Sequence, residues 1–358
     1  MKSPTLAATP TALRSIGRQV DVVLAAFVDA RARGAVAHGF PAEIAETLRG
    51  FLFAGGKRLR PQLCVIGWQT AGEGPVPAPV VQAAASLEMF HAFALIHDDV
   101  MDDSASRRGR PTVHRSLAAH HAGRPDAERL GVNAAILVGD LALAWSDELL
   151  HTAGLTPVQL AAAHEVVDAM RTELMYGQYL DLCATGQGGS DVEAALRTAR
   201  YKTGRYTVER PLLLGAALAG AGKCVREALS AYALPVGEAF QLRDDLLGVF
   251  GSPEMTGKPA VDDLREGKHT VLVALALQRA TPRQRHILHT LLGDPGLGET
   301  GADRIRQVLT ATGARDEVEN LIDARRAQAL HVLDTAPFPP GAIAGLRQLA
   351  DTATARTS

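Results

Sequence analysis

Apolar residues recur at three- and four-residue spacing along most of the chain, the mark of helices that bury one face. The pattern predicts helices over residues 11–33, 41–53, 79–103, 129–151, 157–183, 191–219, 223–249, 268–279, 282–292, 302–312 and 315–334. Alternation of period two, which would signal strands, is hard to find. Gly- and Pro-rich breaks separate the segments, as at Gly72-Glu73-Gly74-Pro75, Gly123-Arg124-Pro125-Asp126 and Pro337-Phe338-Pro339-Pro340. They read as turns and are too short to be linkers between domains. The expectation is one all-α domain over 1–358 with a large apolar interior. Its ends, about 1–10 and 352–358, are expected to fray.

Composition changes this picture little. Aromatic residues make up 4% of the chain and Ala and Leu abound, which suits helices. An apolar share of 47% excludes a disordered chain. Lys and Arg number 37 against 39 Asp and Glu, a net charge of -2. That balance excludes a nucleic-acid binder acting through bulk positive charge. Cys64, Cys183 and Cys224 are far apart, which argues against a disulfide framework and a structural zinc site. Met1 to Val22 lacks the apolar core of a secretory leader, and no spanning stretch of about 18 uncharged apolar residues stands out. A cytoplasmic protein is expected.

The chemistry begins in the segment from Phe90 to Asp103. Asp98 and Asp102 are four apart, as are Asp99 and Asp103. On a helix such pairs share a face with Cβ atoms about 5–6 Å apart, and their like charges repel. An apolar setting makes them costlier still. A hard cation relieves both costs, and oxygen-only ligands suit Mg²⁺. Alone, the segment reads equally well as an acidic helix end facing water. A second copy shifts the balance: Gln241 precedes Asp244-Asp245 in another apolar helical stretch. If the two helices face each other, their carboxylates flank a cavity suited to Mg²⁺ ions bridged by diphosphate.

Two basic clusters match the acidic ones. Gly55-Gly56-Lys57-Arg58-Leu59-Arg60-Pro61 places Lys57 and Arg60 three apart behind a tight turn. Arg107-Arg108-Gly109-Arg110-Pro111 follows the first aspartate motif, and arginine forks suit phosphate. Either cluster alone reads as a solvated face. Together with the acidic pair they point to two anionic groups, one held through metal and one held directly. The polar 251–268 stretch, with Lys258 and Lys268, reads either as a loop closing over a metal-bound diphosphate or as an ordinary surface loop.

In order along residues 50–270, these features resemble the trans-isoprenyl diphosphate synthases of the polyprenyl synthetase family. The matches are Gly-Gly-Lys-Arg-Leu-Arg-Pro at 55–61, Asp-Asp-x-x-Asp at 98–102 and Arg-Arg-Gly-x-Pro-Thr at 107–112. They continue with Gly177-Gln178 and Asp181, Lys202-Thr203, Gln241 with Asp244-Asp245, Gly257-Lys258, and Asp262 to Lys268. The resemblance implies an antiparallel helical bundle around a central apolar cavity, usually a homodimer. It implies condensation of isopentenyl diphosphate with an allylic diphosphate by ionisation, condensation and elimination. Asp98, Asp102 and Asp244 would hold Mg²⁺, three per site with Mn²⁺ able to substitute, beside Asp99. Arg107, Lys202 and Lys258 would add positive charge around the allylic diphosphate. Lys57, Arg60, His91 and Arg108, with Gln178 and Lys268, would serve substrate binding. Thr203 and Gln241 would steady the allylic cation. The chain departs from the family at Gly248, where the second motif commonly carries its third aspartate.

Product length is expected to follow the helix before Asp98. Phe93 lies five residues earlier, about 7.5 Å along the axis, with Ala94 and Phe90 nearby. One aromatic at the fifth position without an insertion in the motif resembles synthases of geranylgeranyl diphosphate, with farnesyl diphosphate the alternative. Three other readings compete. A class I terpene cyclase would need no second diphosphate site. A His-Asp metal phosphohydrolase would leave the second aspartate pair unexplained. A non-catalytic subunit of the same fold finds support only in Gly248.

Overall fold

The computed structural model describes residues 10–72, 74–186, 188–251 and 261–354. Lys258 and Gly257, singled out above, lie outside them. The described residues are almost entirely helical. The first helices are α1 (Pro10–Ala37), α2 (Glu43–Leu52), α3 (Leu59–Gln69) and α4 (Ala78–Met101). A short hairpin, β1 (Ser106–Arg107) with β2 (Arg110–Pro111), leads into α5 (Val113–His120). Then come α6 (Ala127–His151), α7 (Pro157–Ala184), α8 (Val192–Ala199), a π-helical segment (Arg200–Glu209), α9 (Arg210–Leu218) and α10 (Lys223–Phe250). The chain closes with α11 (Asp262–Glu266), α12 (Val271–Arg279), α13 (Pro282–Leu291), α14 (Glu299–Ala311), α15 (Ala314–Thr335) and α16 (Pro340–Thr354).

Local sequence explains the ends. Thr156 and Thr281 form capping boxes with Gln159 and Gln284, and a proline stands at the first turn of both α7 and α13. α4 is buried on nearly every side, as its continuous apolar sequence demands, and packs against α6, α3 and α1. Burial forms two clusters. The larger joins α1–α7, the π segment, α9, the start of α10, the end of α15 and α16; the smaller joins α8, the end of α10, α11–α14 and the start of α15. α10 belongs to both, and its aspartates lie between Leu242 and Leu246 in the half that packs in the smaller cluster.

The structure differs from the sequence reading in several places. α3, α5 and α16 were not expected. α3 is buried nearly all round, so it shows no one-sided stripe. α5 spans only 8 residues. Expected fraying from residue 352 does not hold for 352–354: Ala353 and Thr354 are buried, and Arg243 Nε donates to the Thr354 carbonyl at 3.0 Å. The stretch read as one helix over 191–219 is two α-helices joined by the π segment. Two helices, α4 and α6, prove long and apolar enough to cross a membrane by length and composition. α4 is mostly buried in the bundle, whereas 33% of the apolar stretch of α6 is.

Candidate active site

A cavity of about 810 Å³ opens between α4, α7, the π segment, α10 and α11, with α3's leading loop at one side. Asp98 faces it from α4 and is held by three groups. Lys202 Nζ lies 3.1 Å away, Arg107 Nη2 3.3 Å, and Gln178 Nε2 donates at 3.1 Å. Burial pushes the Asp98 carboxyl up, but Lys202, Lys268 and Arg107 more than reverse this and hold it well below the usual carboxylate range. Lys202 also meets Asp181 at 2.6 Å. It reaches both because the π segment lies against α7 at Gly177, where a Cβ would stand 2.3 Å from the Lys202 backbone nitrogen. π-helical turns recur at functional sites because they re-aim side chains.

Asp102 caps α4 and lies 3.3 Å from Lys268 Nζ. That contact is made by its buried Oδ2, which has no other hydrogen-bond partner. Burial and the neighbouring Asp98 charge push its carboxyl up against the pull of Lys268. Asp99, expected in the catalytic set, is fully buried and accepts two bonds from Arg107 Nε at 2.7 and 2.9 Å. It faces away from the cavity, since neighbours on a helix point about 100° apart.

On the facing wall, Asp244 is exposed and lines the cavity. Gln241 Nε2 donates to Asp245 at 2.6 Å. Burial, with the Asp244 and Asp263 charges, pushes the Asp245 carboxyl up to about 8. Gly248 is explained by Asp263, which the match over Asp262 to Lys268 contains but to which it gives no role. A Cβ at Gly248 would lie 1.8 Å from Asp263 Oδ2, so the α11 carboxylate occupies the space a side chain there would need. Lys268 ties the walls together, 2.6 Å from Glu266, 3.7 Å from Asp263 and 3.3 Å from Asp102. The acidic run Asp262-Asp263 next to Glu266 was the available signal, but only the packing of α11 on α10 makes it part of the site.

The donor set fits a hard divalent cation. Asp98, Asp102, Asp181, Asp245, Asp263 and Glu266 gather around Arg107, Lys202 and Lys268, with Asp244 on the same cavity. The donors are all oxygens, and the buried Asp102 Oδ2 faces the Lys268 ammonium at 3.3 Å without a well-aligned hydrogen bond.

The same cavity is also lined by basic side chains. Arg60 is buried, donates to Thr207 Oγ1 at 2.7 Å and stands 4.2 Å over the Tyr206 ring. Its Nε has no partner. His91 Nδ1 is 2.9 Å from the Tyr206 hydroxyl. Burial, then Arg60, Arg108, Arg107 and Arg58, push His91 well below its ordinary range, so it is neutral. Burial and the other arginines likewise pull Arg108 down despite Glu88. Such mutual repulsion marks a place built for an anion. Arg58 has a different job: it is buried and bonds Asp21, Glu88 and the Leu52 carbonyl, fixing the loop. Arg58, Asp103 and Arg108 hold positive φ of 51°, 50° and 54°, a strain concentrated on the loops beside the cavity. Lys57 is exposed at the cavity edge, and Thr203 lines it.

The length-setting residues divide. Ala94 lines the cavity with His91 and Leu95. Phe93 and Phe90 are buried behind that wall, their rings 5.3 Å apart, with Phe93 4.8 Å from His97. Neither ring lines the cavity, whereas Ala94 and Leu95 do.

With this geometry in place, comparisons with known proteins give the family. The Polyprenyl synthetase family model matches residues 41–310. The crystal structure of a geranylgeranyl pyrophosphate synthase from Corynebacterium glutamicum, complexed with isoprenyl diphosphate and magnesium, superposes with a TM-score of 0.93 at 41% identity, covering 96% of this chain and 99% of that one. A geranylfarnesyl diphosphate synthase from Aeropyrum pernix is 33% identical over 79% of this chain and 85% of its own length. A (2E,6E)-farnesyl diphosphate synthase from Mycobacterium tuberculosis is 35% identical over 71% of this chain and 66% of its own. The chain belongs to the polyprenyl synthetase family of trans-prenyl diphosphate synthases.

Proposed function

We propose that this chain, as one domain, condenses isopentenyl diphosphate with allylic diphosphates and releases chiefly geranylgeranyl diphosphate. The observation that carries the reading is one cavity lined both by carboxylates from two facing helices and by mutually repelling arginines. Asp98, Asp102 and Asp244 would hold Mg²⁺, taken as three ions per site with Mn²⁺ able to substitute. When bound, Mg²⁺ supplies charge stabilisation to the departing diphosphate. Lys202 and Arg107 add cationic charge at the same place, and Lys268 can turn from Asp102 toward phosphate. Lys258 is assigned to this group from its motif alone.

Arg60, Arg108, Lys57 and neutral His91 bind the diphosphate of isopentenyl diphosphate, His91 as a donor. Thr203 and Gln241 set oxygen dipoles along the path of the developing cation. Gln178 and Asp181 position Asp98 and Lys202.

Relatives named for products of three lengths leave length to the cavity. Small Ala94 one turn below Asp98 supports a tail longer than that of farnesyl diphosphate. The 41% identical relative, named for geranylgeranyl pyrophosphate, supports the same choice. A homodimer is proposed from the apolar side chains that α6 and α7 expose, among them Leu137, Tyr176 and Tyr179. The cytoplasm is the proposed location.

The test incubates purified protein with Mg²⁺, isopentenyl diphosphate and dimethylallyl, geranyl or farnesyl diphosphate, and sizes the dephosphorylated products. A dominant geranylgeraniol is expected. Farnesol or longer alcohols would keep the class and discard the length; no elongation would overturn the class.

A further inference from the structure

Away from the cavity, three metal-ligating side chains converge from two elements. Glu43 is the first residue of α2, His120 the last of α5, and His121 follows directly. His121 Nε2 lies 3.1 Å from Glu43 Oε1, and His120 Nε2 lies 3.7 Å from the same oxygen. The donor atoms all fall within 4.8 Å of one another. The two imidazoles stand nearly perpendicular, at 80° with centroids 5.0 Å apart, which brings adjacent residues onto one carboxylate. Among the described residues, no Lys or Arg forms an ion pair with Glu43.

These distances match a tetrahedral zinc site. Bonds of about 2.0–2.1 Å to nitrogen and oxygen place neighbouring ligands roughly 3.3 Å apart. The edges from Glu43 Oε1, 3.1 and 3.7 Å, bracket that value and all donors lie within 4.8 Å, so side-chain rotations can complete three corners. The fourth corner faces solvent, since the His120 side chain is 68% exposed, and is left to water. Two imidazole nitrogens and one carboxylate oxygen suit a borderline transition ion and discriminate against Mg²⁺, which prefers oxygen alone. The cysteine count gave no hint of such a site, because its donors are histidine and glutamate.

We propose that Glu43, His120 and His121 form a peripheral site for Zn²⁺ that ties the start of α2 to the end of α5. The position has a consequence for the cavity. α2 leads into the Gly55–Lys57 loop and α5 follows the Arg107–Arg108 hairpin, and those loops are already joined by Arg108 donating to the Gly55 carbonyl. Zinc joins the same two elements at the other end of α2, about 15 Å away along its axis. The inference is independent of the proposed reaction.

The test uses the full chain in millimolar Mg²⁺, which occupies the oxygen sites. Equilibrium dialysis against Zn²⁺ with metal analysis compares wild type with Glu43→Gln and His120→Ala. Outer-shell partners alone are worth roughly 10–100-fold in metal affinity, so losing a ligand costs at least about tenfold. Wild type is expected to retain one more equivalent of zinc than either variant, and zinc to raise its unfolding temperature but not theirs. Equal zinc retention by all three proteins would overturn the site. Co²⁺ gives an answer without any variant: strong visible absorption of a four-coordinate ion is expected in wild type, and only weak six-coordinate absorption would discard the proposal.

Discussion

The two aspartate motifs look like copies in the sequence and are unlike in the fold. On α4, Asp98 and Asp102 stand among cations that come from three separate elements: Arg107, Lys202 and Lys268. On α10, Asp244 and Asp245 are crowded by a further carboxylate, Asp263, which pushes the Asp245 carboxyl upward together with burial. One wall is paired with basic side chains; on the other, burial and neighbouring carboxylates favour the protonated form of Asp245. The α4 wall is the more organised of the two.

Breaking the organised wall should have the largest effect. Asp98→Ala removes a proposed metal ligand and one of two carboxylates that hold Lys202. Turnover is expected to fall by about 10³-fold or more, the scale of losing a principal charge-stabilising group. Steady-state kinetics checks this beside a far-ultraviolet circular dichroism spectrum that matches wild type. Turnover within tenfold of wild type would remove Asp98 from the metal site.

The α10 wall is probed by restoring the family's aspartate. Gly248→Asp forces a side chain into the place of the Asp263 carboxylate, 1.8 Å from where its Cβ would sit. Activity is expected to fall about 10–100-fold, through overpacking and displacement of Asp263. Adding Asp263→Gly to Gly248→Asp frees that space and should recover most of the loss. Neighbours sharing one space are non-additive, and the double-mutant cycle measures that coupling. Strict additivity would show that the two positions do not share the role.

A smaller effect separates two adjacent residues of α4. Asp99→Asn leaves the cavity lining intact but weakens the buried bonds to Arg107. Stability is expected to drop by about 2–3 kcal/mol, read by denaturant unfolding, while the Mg²⁺ dependence of the rate stays near that of wild type. A shifted Mg²⁺ dependence with unchanged stability would return Asp99 to the metal site.

How much of this was legible in the sequence follows from which signals are local. Helix spacing located most of the bundle, because amphipathic stripes are a property of short windows. It failed at α3, which is buried on all sides, and at the π segment, whose winding answers to the close approach at Gly177. Asp98, Lys202 and Arg60 were readable because their motifs co-occur in order. Asp263 was not, because its role depends on α11 lying against Gly248. Asp99 could not be told from Asp98 for a plainer reason: the motif carries two adjacent aspartates, and a helix turns only one of them to the cavity.

The smallest expected change in rate tests the length of the α4 wall rather than its charge. Ala94 and Phe93 are neighbours, yet Ala94 lines the cavity and Phe93 packs against His97 behind it. Ala94→Phe should place a ring about one turn, roughly 6 Å, below Asp98. The first condensations need no space at that depth, so turnover to short products is expected to stay within about threefold of wild type, as for changes away from the reacting atoms. Product sizing should then show farnesol replacing geranylgeraniol. Phe93→Ala opens space in the core instead, costing about 3 kcal/mol of stability with little change in product length. If Phe93→Ala lengthens the product and Ala94→Phe leaves it unchanged, the ring and not the alanine is the floor, and the tail runs behind α4 rather than along the face that carries Asp98.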